Sequence, residues 1–336
     1  MEERRTILRT KNLKAYYSFK AFGIDRNIKA LDDVTFDIYE KEIFGIAGES
    51  GCGKSTLMKV LYGLIKSPLR HIGGDAIYKI NGNERSIFSF DKETLRKLRW
   101  SFMSYIPQGS MNILNPTVRI KKQFLNIIKA HKDVVNVDEA EDIAVEHIKS
   151  LGLPLEVLRS YPHQLSGGMR QRVTIALATV LKPRIIFGDE PTTALDVVVQ
   201  RGVIQLLKDI QKELNNTVIM VTHDMAVHAE LTDRIGIMYA GKMVEIASTR
   251  EIFKEPLHPY TQYLINSLPK IGDKSEKVSV PGAPPSLANP PSGCRFHPRC
   301  PYAKQICKEQ EPTFEELKPG HFVACFIATK RGVENG

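Results

Sequence analysis

The run Gly48-Glu49-Ser50-Gly51-Cys52-Gly53-Lys54-Ser55 constrains the fold more than any other stretch of the chain. It fits the pattern G-x-x-x-x-G-K-[ST], with Thr56 following. An apolar run, Ile43–Ala47, precedes it, and Leu57, Val60, Leu61 and Leu64 follow at helical spacing. Strand, glycine-rich turn and helix in that order let successive backbone N–H groups point into one concavity. The helix N-terminus adds its positive end to the same place. Such a turn is a phosphate cradle. Lys54 has the reach to meet β- and γ-phosphates, and Ser55 can offer its hydroxyl to Mg²⁺. Cys52 stands at a variable position of the loop, where a small side chain with no redox role suffices.

A second signal follows 135 residues after Lys54. Arg184-Ile-Ile-Phe-Gly-Asp189-Glu190 reads as an apolar strand ending in two carboxylates. Asp189 is placed to hold Mg²⁺, and Glu190, just beyond the strand, to polarise an attacking water. Between these two motifs lies Leu165-Ser166-Gly167-Gly168-Met169-Arg170-Gln171, ahead of helical spacing over Arg172–Val180. It is another anion cradle, built from flexible N–H donors, a hydroxyl and a helix start. One γ-phosphate does not need two cradles from the same chain, so the second suits a neighbour's nucleotide.

The remaining pattern predicts an α/β fold. Strands at Arg184–Phe187 and Thr217–Val221 bracket a helix through Val203, Ile204, Leu206, Leu207 and Ile210, which implies a parallel sheet covered on both faces. Residues 1–45 read as strands, with Leu31, Val34, Phe36 and Ile38 alternating as in an antiparallel piece. Gly73–Arg119 reads as a polar middle containing aromatics. Residues 120–165 read as mostly helical, with Phe124, Ile127 and Ile128 on one apolar face and Ile143, Val145, Ile148 and Leu151 on another. Pro281–Pro301 holds seven prolines in 21 residues, too many for regular helix or central strand.

The 336 residues suit one large α/β domain with a smaller attachment. An apolar fraction of 42% and a charged fraction of 25% exclude bulk disorder and a fibrous repeat. The longest apolar stretch, Val173–Leu181, falls well short of the roughly 18–20 residues a spanning helix needs. The N-terminal residues lack the apolar core of a secretory signal. A net charge of +9 suits nucleic acid, an anionic membrane or polyphosphate. Cys52 stands alone, whereas Cys294, Cys300, Cys307 and Cys325 crowd the C-terminal part. In a reducing compartment such a cluster points to a metal centre before disulfides.

GESGCGKST, LSGGMRQR and IIFGDEPTTALD, in their relative positions, resemble the nucleotide-binding subunits of ABC-type ATPases over roughly residues 7–250. The resemblance implies a P-loop ABC ATPase domain over residues 1–250: a parallel-sheet core, an antiparallel β subdomain and a helical subdomain at about 109–165. It implies that Tyr17, or the adjacent Tyr16, stacks on adenine. Gly48, Ser50, Gly51, Cys52, Gly53, Lys54, Ser55 and Thr56 then bind the rest of ATP. Ser55, Gln108 and Asp189 serve Mg²⁺, and Glu190, His223 and Gln108 are catalytic. Head-to-tail dimers of this family set Ser166, Gly167, Gly168 and Asp196 (in Ala194-Leu195-Asp196) against the partner's ATP.

Leu257-His258-Pro259-Tyr260-Thr261, Pro281-Gly-Ala-Pro-Pro, Gly293-Cys-Arg-Phe-His-Pro-Arg-Cys-Pro and Gly320-His-Phe-Val-Ala-Cys325 resemble the tail of dipeptide/oligopeptide importer ATPases. Residues 251–336 are therefore expected to form a small irregular C-terminal module. The cysteine spacing C-x5-C-x6-C-x17-C lacks the tight pair usual at zinc. Four thiolates on loops can instead hold a [4Fe–4S] cluster, which members of this importer family carry at these positions; zinc, unligated thiols and disulfides remain alternatives. His297 and His321 read as surface or packing residues. The expected partners are a second ABC ATPase subunit (a paralogue or a second copy), two integral-membrane permease subunits and an extracellular substrate-binding protein. The helical region, with Met111–Pro116 beside Gln108, would dock a membrane subunit at the cytoplasmic face of the cell membrane. Oligosaccharides or metal chelates are alternative cargoes. A soluble ABC protein acting on nucleic acid or ribosomes fits less well, because the chain has neither a long coiled-coil insertion nor a second cassette.

Overall fold

The alternating apolar pattern of the N-terminal region builds two sixteen-residue strands, β1 (Thr6–Ala21) and β2 (Ile24–Tyr39). The computed structural model describes residues 4–21, 24–109, 113–132, 136–193, 195–268 and 280–329. Contacts gather these into two units. One holds 5–38, 44–88 and the chain from His223 onward; the other holds 39–43 and Ser89–Thr222.

In the first unit, β3 (Ile43–Ala47) is buried at every position, as a central parallel strand should be. Helix α1 (Lys54–Leu61) follows the glycine turn and buries Leu57, Met58, Val60 and Leu61. Strands β4 (Leu69–Ile80) and β5 (Asn83–Ser86) then complete a sheet in the order β2-β1-β4-β5. Leu31, Val34 and Ile38 are fully buried, and Phe36 nearly so. β4 pairs antiparallel with β1, its register shifting around Lys11–Lys14.

The second unit opens with α2 (Lys92–Leu98) and β6 (Met103–Ile106). With β4 and β5, these put regular structure where the sequence read as a polar middle. The bulged pairing and the exposed charges of β4 blur its two-residue period. α3 (Ile120–His131) buries Ile120, Phe124 and Ile128, and α4 (Val137–Ser150) buries Ala140, Ala144, His147 and Ile148. Ile127, Ile143 and Val145, expected on the apolar faces, are only half-buried. Two alanines and a hydrogen-bonded histidine take the close-contact positions in α4, and apolarity alone does not single them out. Two short 3-10 turns, Leu155–Arg159 and Pro162–Gln164, follow. Met111 and Asn112, within the expected docking segment, lie outside the described residues. α5 (Gly167–Thr179), β7 (Ile185–Asp189), α6 (Val197–Leu214) and β8 (Thr217–Val221) come next. β7 runs parallel between β6 and β8, and α6 buries Val203, Ile204, Leu206, Leu207 and Ile210, the face its spacing predicts.

From His223 the chain rejoins the first unit. α7 (Met225–Leu231) leads to β9 (Arg234–Tyr239) and β10 (Lys242–Ser248). Helices α8 (Thr249–Lys254), α9 (Pro259–Asn266) and α10 (Gln305–Glu309) precede β11 (Glu315–Lys318) and β12 (His321–Val323). β9 lies parallel to β3, and β12 pairs antiparallel with β10. The tail is thus irregular through its proline-rich segment yet supplies strands to the sheet that carries the glycine turn. Glu245, fully buried on β10, pins it there. Its carboxylate accepts from the Leu257 and His258 N–H groups at 2.7 and 3.0 Å and from His321 Nε2 at 2.7 Å. His321 is therefore a buried packing residue. Among the described residues no helix is long and apolar enough to cross a membrane.

Burial pushes the His147 imidazole down to about 4, opposed by its bond to the Ala176 carbonyl and helped by the Lys182 charge. The unfolded chain, with an ordinary imidazole near 6.5, then binds the proton more readily than the folded one. His147 thus contributes stability that is present above about pH 6.5 and lost as pH falls toward 4. We expect urea midpoints of the wild type to fall across this window and those of His147→Gln to fall less; equal slopes would contradict the buried neutral histidine.

Candidate nucleotide site

The strand β3 ends in a turn that only glycine can make at two points. Gly48 and Gly53 have φ of 147° and 110°, and a Cβ on either would lie 2.2 Å from a carbonyl oxygen, that of Met238 and that of Ala30 respectively. Gly53 also occupies the N-cap of α1 and makes no side-chain cap, so the first-turn N–H groups face the loop without a competing acceptor from the cap. Lys54 is 7% exposed, and its ammonium donates to the carbonyls of Gly48 and Glu49 at 2.7 and 2.8 Å. The cation is thereby held over the loop's own concavity. Cys52 is buried, and burial pushes its thiol up despite nearby Lys54, so it packs rather than reacts. Ser50 and Gly51 form the exposed crest, and Ser55 is half-buried.

The two candidate tyrosines separate. The Tyr17 hydroxyl lies 3.2 Å from Thr56 Oγ1, next to the helix that follows the loop. Tyr16 instead donates to Asp32 at 2.7 Å, and burial together with that carboxylate raises its phenol above the ordinary value. His223 is exposed immediately after β8, and Asp224 caps α7 by accepting from the Ala226 N–H at 2.9 Å.

The carboxylates belong to the other unit. Asp189 is 3% exposed and accepts from the Tyr105 hydroxyl at 2.9 Å. Glu190 has a left-handed backbone, φ 50°, a conformation that costs a non-glycine residue on the order of 1 kcal/mol. Its N–H is fixed to the Val221 carbonyl at 2.9 Å. Glu190 Oε2 accepts from Gln108 Nε2 at 3.0 Å and from Thr193 Oγ1 at 2.8 Å. Two expected catalytic residues, Glu190 and Gln108, are therefore in direct contact. Tyr105 and Thr193 join them, and neither is among the residues the motifs mark. The spacing of Thr193 one turn after Glu190 is a signal in the sequence, whereas Tyr105 reaches Asp189 only through the pairing of β6 with β7.

Ser166 caps α5, accepting from the Met169 N–H at 3.2 Å, and Gly167 and Gly168 form its first turn. Asp196 caps α6 through the Val198 and Val199 N–H groups at 3.0 and 2.9 Å. Ser166 and Asp196 are exposed, whereas Ala194 lies outside the described residues. Val197 and Val198, just after Asp196, are 71% and 80% exposed.

The four C-terminal cysteines converge without forming a coordination group. No disulfide joins them, and among the described residues no three His, Cys, Asp or Glu side chains are arranged to hold a metal ion. The expected iron–sulfur centre is thus not drawn together as a ligand set. Each sulfur is instead turned to nearby backbone. Cys307 accepts from the Lys304 N–H, Cys294 from Phe296, Cys300 from Tyr302, and Cys325 from Ile327 and Ala328. Burial, with the charges of the neighbouring thiols, pushes Cys294 up to about 12.

Residues 31–193 match the ABC transporter family, and residues 244–307 match the C-terminal region of oligopeptide/dipeptide transporters. A dimeric ATP-binding cassette solved in a post-hydrolysis state with ADP and Pi is similar at a TM-score of 0.61 and 30% identity. That likeness covers 73% of this chain and 99% of the other. The fold and the glycine-lysine turn thus define an ABC-type ATPase. Similarity extends along nearly the whole chain to the dipeptide transport ATP-binding protein DppD of Caldanaerobacter subterraneus subsp. tengcongensis. The two are 44% identical over 323 residues, 96% of this chain and 97% of the relative. The oligopeptide transport ATP-binding protein OppD of Escherichia coli K12 is 38% identical over 323 residues, 95% and 93% of the two chains. The chain belongs to the family of ATP-binding subunits of ABC dipeptide and oligopeptide transporters.

The contacts of Glu190 generate a direct expectation. Glu190→Gln should retain ATP binding while turnover falls at least about hundredfold, the scale of a lost general base. Hydrolysis at the wild-type rate would remove Glu190 as the catalytic carboxylate.

Proposed function

We propose that this chain binds and hydrolyses ATP to drive import of dipeptides or oligopeptides through a membrane ABC transporter. The observation that carries the cargo class is the match of residues 244–307 to the oligopeptide/dipeptide transporter C-terminal region. Residues 1–250 serve as the nucleotide-binding domain and 251–336 as the importer-type module.

Tyr17 takes the adenine side. Gly48, Ser50, Gly51, Cys52 and Gly53 contribute loop backbone to the triphosphate, and Lys54 and Thr56 act from the start of α1. When Mg²⁺ is bound it neutralises phosphate charge, with Ser55, Gln108 and Asp189 available as its holders. Glu190 accepts the proton of the attacking water, kept in place by Gln108 and Thr193. His223 donates to the γ-phosphate. Ser166, Gly167, Gly168 and Asp196 serve the partner's ATP, so nucleotide joins Lys54 of one subunit to Ser166 of the next and hydrolysis releases that contact.

The exposed Val197 and Val198 beside Asp196 support burial against a second ATPase subunit, a paralogue or another copy. A cavity of about 330 Å³, lined by Trp100, Tyr105, Ile113, Leu114, Ile127 and Leu177, supports docking of one of two permease subunits. An extracellular substrate-binding protein completes the assembly. The chain sits peripherally at the cytoplasmic face of the membrane and takes no nucleic acid.

The spacing C-x5-C-x6-C-x17-C, without the tight pair usual at zinc, supports a [4Fe–4S] cluster over zinc, and forming it would require the four sulfurs to draw together as a ligand set. Protein isolated without air should be brown and contain iron and sulfide; colourless protein with stoichiometric zinc would contradict the cluster.

The function itself is tested by isolating the chain from its native membrane. Two integral-membrane proteins should copurify, and cells carrying only Glu190→Gln should lose uptake of labelled peptide. Copurification of RNA or DNA, or loss of oligosaccharide or metal-chelate uptake instead, would overturn the peptide reading.

A further inference from the structure

Glu49 stands inside the phosphate loop, where a carboxylate is an odd companion for an anion. Its oxygens accept a two-pronged bond from the guanidinium of Arg299, at 2.7 and 2.9 Å, from 250 residues along the chain. The Glu49 N–H donates to the Tyr260 hydroxyl at 2.7 Å. Side chain and backbone of one loop residue are thus both gripped by the C-terminal tail.

The grip is rigid on the tail side. The Arg299 side chain is 7% exposed, and its remaining donors reach the Pro281 and Gly282 carbonyls at 2.6 and 3.2 Å. Its guanidinium also stands 5.8 Å from the Tyr239 ring centroid. Tyr239, Tyr260 and Phe296 meet in an aromatic cluster against which Cys294 and Cys300 pack. Arg295 acts in parallel, pairing with Asp32 and the Ala240 carbonyl, while the Gly241 N–H holds the Cys52 carbonyl at 2.8 Å.

A loop rich in glycine loses much freedom when it closes on phosphate. A fork of two charge-assisted bonds removes that freedom in advance and cancels the carboxylate's repulsion for the ligand. We propose that Arg299 is a positioning residue for the phosphate loop, which with Tyr260 fixes Glu49 so that the tail sets the affinity for ATP. The proposal rests on the reading of Gly48–Ser55 as the ATP site.

Equilibrium binding of ATP to the full chain, with thermal unfolding alongside, tests it. Arg299→Ala should weaken ATP binding about tenfold, the scale of one lost hydrogen bond to a charged group. Arg299→Lys, which keeps the charge but not the fork, should recover only part of the loss. Adding Glu49→Gln to Arg299→Ala should not restore binding, since the position as well as the charge is lost. Tyr260→Phe keeps the ring and removes only the acceptor for the Glu49 N–H. It should shift binding in the same direction, which keeps the test open if Arg299→Ala fails to fold. Lys54→Ala is the control for the site. Loss of binding in Lys54→Ala with unchanged affinity in folded Arg299→Ala or in Tyr260→Phe would overturn the brace and leave the ATP site standing. Full binding by Lys54→Ala would overturn both.

Discussion

Two carbonyl oxygens, those of Met238 and Ala30, stand where a side chain at Gly48 or Gly53 would go. That close approach dictates the path of the loop, and much of the surrounding unit serves it. β3 delivers the loop from a buried sheet position, β9 supplies one of the crowding carbonyls from the neighbouring parallel strand, and β2 supplies the other. A turn so confined keeps its N–H groups convergent without side chains of its own, which is what a polyphosphate requires.

What could be read from the sequence follows from how each element is buried. β3, β7 and β8 are covered on both faces, so they read as unbroken apolar runs, and the buried stripe of α6 is wide enough to set its own period. β4 alternates weakly because one face carries charge and its register shifts, and the contact face of α4 rests on Ala140, Ala144 and His147. The site divides in the same way. Lys54, Asp189 and Glu190 are marked by local pattern, and Gln108 by the family resemblance alone. Thr193 meets Glu190 within one turn, whereas Tyr105 and above all Arg299 matter through partners far away in sequence, and no local period reports a bond across 250 residues.

Part of the positive charge is internal. Lys54 faces the loop carbonyls, and Arg295 and Arg299 are buried against Asp32 and Glu49 rather than offered to solvent. Each of these arginines is neutralised by its carboxylate, so the surplus of +9 is carried by the other residues. The tail that carries these arginines contributes β12 to the same sheet and is held by the buried Glu245. Its relation to the phosphate loop is structural before it is anything else, and Cys294 and Cys300 pack against the aromatic cluster on which Arg299 rests.

Peptide-dependent ATP hydrolysis joins the site to the cargo in one readout. The chain, assembled in liposomes with its permease subunits and the substrate-binding protein, should hydrolyse ATP faster when that protein is loaded with a dipeptide or oligopeptide. A rate indifferent to peptide, in an assembly that still hydrolyses ATP, would contradict a role in peptide import.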